Sequence, residues 1–330
     1  MKNNTTVYIS VLNWNKAEDT LECIEHLLNG ALPYTVNIKI FVIDNGSTDT
    51  DYHQLYTGLV NLPVSLVRLE ENIGFSGGHN KIMQQAIDDN VDYVWLVNND
   101  GIALPDTLDK IITLIDSDPQ CGAVSPLIVR KGDEDIVDFG GAYHKWQGLE
   151  LISLDYKARD AIKPHEQDDF WLIGAAILFR VTALKQVGLF DDRFFAYFED
   201  NEICAKLAEA GWTNRLAYDA HFLHDIPGER APYFYYLTTR NDFFFWLKHT
   251  PKQYRRFIWL RLIDRAIYRA NRLLFIGELA KSDACLLGCY DGVLGRGGRP
   301  ELDRKVPLVM TLLSKLLWLY HAKHIKANKL

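Results

Sequence analysis

The segment Tyr93-Val94-Trp95-Leu96-Val97-Asn98-Asn99-Asp100 decides how the chain folds. Its first five residues are apolar without alternation, which predicts a strand buried on both faces, and the run stops on two amides and a carboxylate. Three earlier runs have the same form: Val7 to Leu12, Ile38 to Ile43 closing on Asp44-Asn45-Gly46-Ser47, and Val64 to Leu69. Leu21, Ile24, Leu27 and Leu28 recur at helical spacing as far as Gly30, and a second helical pattern runs from Asn80 to about Asp89. Beyond Asp100, Pro105 opens a helix with Leu108, Ile111, Ile112 and Ile115 inward. Such strands alternating with amphipathic helices predict an α/β fold, a mostly parallel central sheet with helices on both faces. Ligands of these sheets bind at the carboxyl ends of the strands, where Asp44 and Asp100 both fall.

Farther along, residues 140–169 are polar and irregular, and the apolar pattern resumes at Trp171 to Phe179. Phe194 to Phe198 leads into an acidic segment and a helix from Ile203 to Ala210, stopped by Gly211. After Pro227-Gly228 the chain is aromatic and then basic and helical, so the predicted division is a domain over 1–240 and a helical region over 241–330.

Composition supports a folded chain: 48% of the 330 residues are hydrophobic and 24% charged. The net charge of -7 conceals a split, with +10 on residues 251–330 and −17 on the rest. Five cysteines form no CxxC pair, and the polar start lacks an apolar signal core, which predicts a reducing, cytoplasmic setting. Lys305, Lys315 and Lys323 interrupt the most hydrophobic segment, so no spanning helix is expected.

Several residues could carry chemistry. Asp100 on a strand-end loop suits a hard cation such as Mg²⁺ or Mn²⁺, yet Asn-Asn-Asp-Gly is equally good turn chemistry. Asp44 could accept hydrogen bonds from a base or ribose, or simply cap a loop. Gly74, Gly77 and Gly78 could bring backbone N–H groups to a diphosphate, or form a loop of no function. Neither GxGxxG after the first strand nor GxxxxGK[ST] anywhere occurs, which weighs against NAD and P-loop chemistry. Aromatic bulk in Phe194-Phe195-Ala196-Tyr197-Phe198, just before Glu199 and Asp200, would desolvate a carboxylate and suit it as a general base; an acidic helix start is the competing reading. His224 follows a strand-like run, where a histidine is commonly structural. Cys285 and Cys289, and His321 and His324, have helical spacing without a second pair and read as packing or surface residues.

In this order the segments resemble the family 2 glycosyltransferases of the GT-A fold, within them the bacterial rhamnosyltransferase-like branch that includes galactofuranosyltransferases. The resemblance lies in Asn13-Trp14-Asn15, Ile43-Asp44-Asn45-Gly46-Ser47-Thr48-Asp49, Asn72-Ile73-Gly74-Phe75 through Asn80, Asn98-Asn99-Asp100, Gly188-Leu189-Phe190-Asp191 before Glu199-Asp200, His224, and Arg240-Asn241. It covers roughly residues 7 to 245. It implies donor-nucleotide contacts from Asn15, Asp44, Asn72, Gly74 and Asn99, a divalent metal (Mg²⁺ or Mn²⁺) on Asp100 and His224, and Asp200 as catalytic base. Trp171, Tyr197, Glu199 and Arg240 are then candidates for the sugar and acceptor pocket. The implied activity is inverting transfer from a nucleotide-diphosphate sugar, dTDP-L-rhamnose or as runner-up UDP-galactofuranose, to a cell-surface polysaccharide or lipid-linked glycan. Two positions depart from the pattern: Asn98 replaces the first Asp of the metal motif, which puts the need for metal in question, and Ile82 stands where the family often has glycine.

Two other classes compete. A sugar-nucleotide pyrophosphorylase would want a glycine- and lysine-rich loop after the first strand, where this chain has Asn13-Trp14-Asn15-Lys16, and a non-catalytic glycan-binding protein would lack the base. In the C-terminal part Arg261, Arg265, Arg269 and Arg272 share a helical face. A last helix from Val306 to about His324 has Val309, Leu312, Leu313, Leu316 and Tyr320 on one side and ends in Lys323, Lys326 and Lys329. These features predict peripheral contact with an anionic membrane on the cytoplasmic side, or alternatively packing on the catalytic domain or a second subunit. The acidic domain alongside argues against nucleic acid as a partner.

Overall fold

The computed structural model describes residues 5–32, 36–155, 157–159, 171–225 and 228–327. The strands are β1 (Thr6–Asn13), β2 (Asn37–Asp44), β3 (Val64–Arg68), β4 (Tyr93–Asn98), β5 (Gly101–Ala103), β6 (Cys121–Arg130), β7 (Asp133–Phe139), β8 (Ala142–Lys145), β9 (Glu150–Ser153), β10 (Lys157–Ala158), β11 (Ala176–Arg180) and β12 (Thr213–His224). The helices are α1 (Ala17–His26), α2 (Asp49–Leu59), α3 (Gly74–Asp88), α4 (Thr107–Ser117), α5 (Val181–Val187), α6 (Glu199–Glu209), α7 (Pro232–His249), α8 (Ile258–Phe275), α9 (Leu279–Leu294) and α10 (Leu308–Ala327).

Two compact units result. The first comprises Met1–Lys145, Glu150–Phe190 and Asp200–Ile226, and the second Trp146–Leu149, Asp191–Glu199 and Pro227–Leu330. In the first, the main sheet runs β10-β7-β6-β11-β4-β1-β2-β3, with β12 beside β6 and β5. Its β4-β1-β2-β3 part is parallel, as the apolar runs predict. β11 is antiparallel to β4 and β6, so half of the sheet is mixed. Alternation along β1 divides the core: Val7, Ile9 and Val11 pack on the side that holds Ile24, Leu55 and Ile111, while Tyr8 packs with Ile82 and Met83 on the other.

Two local expectations change. The polar stretch after Gly140 forms the β8–β9 hairpin and the short β10 rather than irregular chain; residues 156 and 160–170 lie outside the described residues. α3 starts at Gly74, well before the first apolar helical repeat. Gly77 and Gly78 therefore lie inside a helix, where N–H groups are spent on the preceding turn and do not reach toward a diphosphate. Their smallness serves packing: a Cβ on Gly78 would stand 2.4 Å from the Leu12 side chain.

In the second unit α7, α8 and α9 pack on one another and α10 lies along α8. The arginines of α8 differ from their predicted role as a membrane-facing stripe. Arg261 donates to the Gln147 carbonyl at 2.8 Å, Arg265 to that of Leu149 at 2.5 Å, and Arg269 to Thr238 Oγ1 at 2.7 Å. Arg265 also pairs with Asp242 at 2.5 Å. They are internal ties, to carbonyls of the Trp146–Leu149 segment of the same unit and to α7. Lys329 lies outside the described residues.

Candidate active site

At the carboxyl end of β1 and β2, Asn13 organises the loops. Its Nδ2 donates to Asp44 Oδ1 at 3.1 Å, Ser47 Oγ at 3.1 Å and Asp51 Oδ2 at 2.9 Å. Asn15 stands at φ 53°, a left-handed conformation that asparagine tolerates, and its Oδ1 accepts from the Thr48 N–H at 2.9 Å. Asn99 Nδ2 donates to Thr20 Oγ1, which donates to Asn13 Oδ1, so Asn15, Asp44 and Asn99 belong to one hydrogen-bonded network.

Asp44 is fully buried, and among the described residues its Oδ2 has no hydrogen-bond partner. An unpaired buried carboxylate oxygen is costly, roughly 1–3 kcal/mol or more, unless something outside the chain completes it. Arg68, opposite Asp44 in the β2–β3 register, approaches that oxygen only to 3.6 Å and stacks on the Tyr52 ring at 4.0 Å. Neither Arg68 nor Tyr52 stood out in the sequence; the pairing register was the signal available. The next wall is an amide ladder: Asn45 Nδ2 donates to Asn72 Oδ1 at 3.2 Å, and Asn72 Oδ1 accepts from Gly74 N–H at 2.8 Å. Gly46 at φ 70° permits this approach, since a Cβ there would lie 2.4 Å from the Glu71 carbonyl carbon. Below, His79 is buried against Ser10 Oγ at 2.8 Å, and burial pushes its imidazole down to about 3, so it is a neutral support.

Asp100 follows β4, and β12 ends at His224, which pairs with Gly101 across β5. His224 Nε2 lies 3.3 Å from Asp100 Oδ1, and Nδ1 lies 3.8 Å from Asp138 Oδ2. Asp138, on β7, is a further neighbour, brought in by strand pairing and marked by no local motif. Burial disfavours the imidazolium, but the two carboxylates outweigh it and push His224 up to about 9. Burial likewise opposes an ionised Asp100, and His224 more than compensates, holding its carboxyl below the usual range. Beyond this ion pair, Asp100 Oδ1 and both His224 nitrogens lack hydrogen-bond partners among the described residues, so the carboxylate could hold a cation, and the imidazole could join it on releasing a proton. Among the described residues no three His, Cys, Asp or Glu side chains form a cage for a metal ion, so these two fit a divalent cation only together with ligand phosphates.

Asp200 comes to the same sheet edge through β11. The Ala175 carbonyl accepts from Asn98 N–H at 2.8 Å, and the adjoining Gly174 N–H donates to Asp200 Oδ2 at 3.0 Å. Oδ1 accepts from Asn201 N–H at 2.7 Å. Burial raises the Asp200 carboxyl above its ordinary value, and these N–H groups only partly offset it. A Cβ on Gly174 would meet the Phe75 ring at 3.1 Å, so a glycine lets this segment pass. Trp171 is half-buried, edge-on to Phe139 at 5.3 Å.

The remaining candidates belong to the second unit. Tyr197 is half-buried, edge-on to Phe234 at 5.0 Å, and Glu199 is buried at the start of α6. Arg240, expected at the sugar or acceptor pocket, is engaged inside the second unit instead. It is fully buried, and its guanidinium donates to the carbonyls of Gly298 at 2.6 Å, Arg193 at 3.0 Å and Phe194 at 2.8 Å. Asn241 adds donors to Phe194, Ala196 and Tyr197 carbonyls. Together they clamp a segment whose Phe195, Tyr197 and Phe198 have φ of 65°, 67° and 75°, conformations costly for aromatic residues.

The Glycosyl transferase family 2 profile matches residues 7–187, more than half of the chain. The chain belongs to this family. Similar proteins of known function include N-acetylglucosaminyl-diphospho-decaprenol L-rhamnosyltransferase of Mycobacterium tuberculosis, strains CDC 1551 / Oshkosh and ATCC 25618 / H37Rv. Each is 27% identical over 210 residues, covering 57% of this chain and 66% of the relative, just under two thirds of its length. Among solved structures, mannosyltransferase PcManGT from Pyrobaculum calidifontis, in complex with GDP-Man and Mn²⁺, superposes with a TM-score of 0.55 at 15% identity, over 88% of this chain and 87% of that one. GalNAc-T7 with UDP, GalNAc and Mn²⁺ gives 0.55 at 16% identity, over 69% of this chain and 45% of that one. For this family 2 glycosyltransferase the structural likeness establishes the GT-A-like fold.

Proposed function

We propose that the chain transfers a sugar, L-rhamnose from dTDP-L-rhamnose, to a hydroxyl of a lipid-linked or polysaccharide glycan, inverting the anomeric configuration. The observation that carries this reading is the set of unsatisfied polar atoms, Asp44 Oδ2 and the Asp100–His224 pair, at the sheet edge that also holds the buried Asp200. In it, Asp44 accepts from the donor base, and Asn15, Asn99, Asn72 and Gly74 fix the loops around the nucleotide. A divalent cation on Asp100, His224 and the diphosphate would neutralise the charge that develops on the leaving group. Asp200 takes the proton from the acceptor hydroxyl as that oxygen attacks the anomeric carbon, and its raised affinity for a proton suits the task. One displacement from the face opposite the diphosphate inverts the centre. Tyr197, Glu199 and Trp171 are the proposed sugar and acceptor contacts, and Mg²⁺ or Mn²⁺ serves as the cation.

The printed name of the mycobacterial relative, an L-rhamnosyltransferase acting on a diphospho-decaprenol-linked sugar, supports a rhamnosyl donor and a lipid-linked acceptor. A thermal-shift screen of nucleotide sugars with and without Mn²⁺ tests the reading. A single base family, thymidine, should raise the melting temperature, by about 2.7 kcal/mol of added stability at a hundredfold excess over Kd. Stabilisation by UDP-sugars alone would reassign the donor, and stabilisation by none would overturn the function.

A further inference from the structure

α10 is mounted with its polar side inward. Ser314 Oγ donates to Asn271 Oδ1 at 2.6 Å, Asn271 Nδ2 lies 3.0 Å from His321 Nδ1, and His321 Nε2 lies 3.1 Å from Asp264 Oδ1. Ser314, His321 and Asn271 are buried, forming a polar seam between α8 and α10. The seam fixes the roll of the helix, because turning it would strand these groups without partners. The opposite side carries Leu308, Leu312, Leu316, Leu319 and Tyr320, with Leu308, Leu316 and Leu319 exposed by 72%, 77% and 83%. Leu260, one turn before Asp264 on α8, is exposed by 64%. A contiguous apolar stripe of this kind marks an interaction surface.

We infer that this stripe docks into the interfacial layer of an anionic lipid bilayer. Charge selects that occupant. Residues 305–327 contain Lys305, Lys315, Lys323 and Lys326 and no Asp or Glu, and among the described residues none of the four lysines is in an ion pair. A second copy would set this cationic helix against itself with no acid on α10 to offset it, whereas anionic headgroups complement the lysines while the leucines enter the acyl boundary. α10 reaches no spanning hydropathy, in keeping with a helix that lies in the surface. This docking is independent of the donor chemistry, so its failure leaves the proposed transfer untouched.

The test is co-sedimentation of the full chain with phosphatidylcholine vesicles, with or without phosphatidylglycerol. The wild type should bind only the anionic vesicles. Leu316→Glu/Leu319→Glu should bind on the order of a hundredfold less, with an unchanged melting temperature because both positions are exposed. Replacing Lys323 and Lys326 by Ser should weaken binding by about fivefold for each lysine. All five native cysteines are buried, so a polarity-sensitive thiol dye at Leu319→Cys reports that position selectively, and its emission should shift blue on anionic vesicles. Equal binding to both vesicle types, no binding, or a wild-type dimer that Leu316→Glu/Leu319→Glu makes monomeric would each overturn the inference.

Discussion

The two units place their exceptions in opposite ways. In the first, apolar residues are buried as expected and the exception is polar: Asp44 Oδ2, Asp100 Oδ1 and the His224 nitrogens are buried without hydrogen-bond partners among the described residues. In the second, the buried Arg240, Asn271 and His321 are hydrogen-bonded, and the apolar exception is outside: leucines of α10 stand in solvent. The Asp44 and Asp100–His224 atoms are of the kind that a nucleotide sugar would satisfy, and the α10 leucines of the kind that a lipid surface would cover. Residue type alone misleads here, since the arginines of α8 look like surface charges and are internal ties.

The largest effect expected on this contrast is at Asp200. Asp200→Asn should lower kcat by about 100- to 10,000-fold while donor binding and melting temperature change little. Because burial raises the folded-state pKa, the wild-type rate should fall on acidification at a pH above the ordinary carboxylate value of about 3.9. The sign for stability is opposite: the cost of burying this charge is absent at low pH and appears as pH rises through the raised pKa. A rate that stays flat below neutrality down to that ordinary value would remove Asp200 as the base.

Smaller and different in kind is the effect at Arg240. Arg240→Ala removes the donor of several buried carbonyls and should cost about 3 kcal/mol in chemical denaturation, whereas Arg269→Ala, which mainly loses a hydroxyl partner, should cost about 1 kcal/mol. Arg240→Ala with full stability and weakened acceptor binding would restore it to the pocket.

What the sequence revealed follows from the range of the interactions. β1 to β4 and the strand-end carboxylates were legible because an apolar run and its terminating loop are local. The Asp100–His224 approach was reached through the family resemblance, and β12 brings it about. The antiparallel β11, the Arg68 and Asp138 neighbours and the inward arginines were hidden, since each depends on partners far along the chain. The early start of α3 was hidden because Gly74, Gly77 and Gly78 carry no helical periodicity, and the bare Gly78 lets the helix close on Leu12 of β1. The buried clamp of Arg240 on residues 193–198 gave no local sign at all.

Asp44 Oδ2 and the Asp100–His224 pair form the proposed donor site. It is tested most directly by calorimetric titration of the donor, with Mn²⁺, into the wild type and into Asp44→Ala/Asp100→Asn. The wild type should give a saturable isotherm and the double variant none at equal folded fraction; matching isotherms would remove these residues from the donor site.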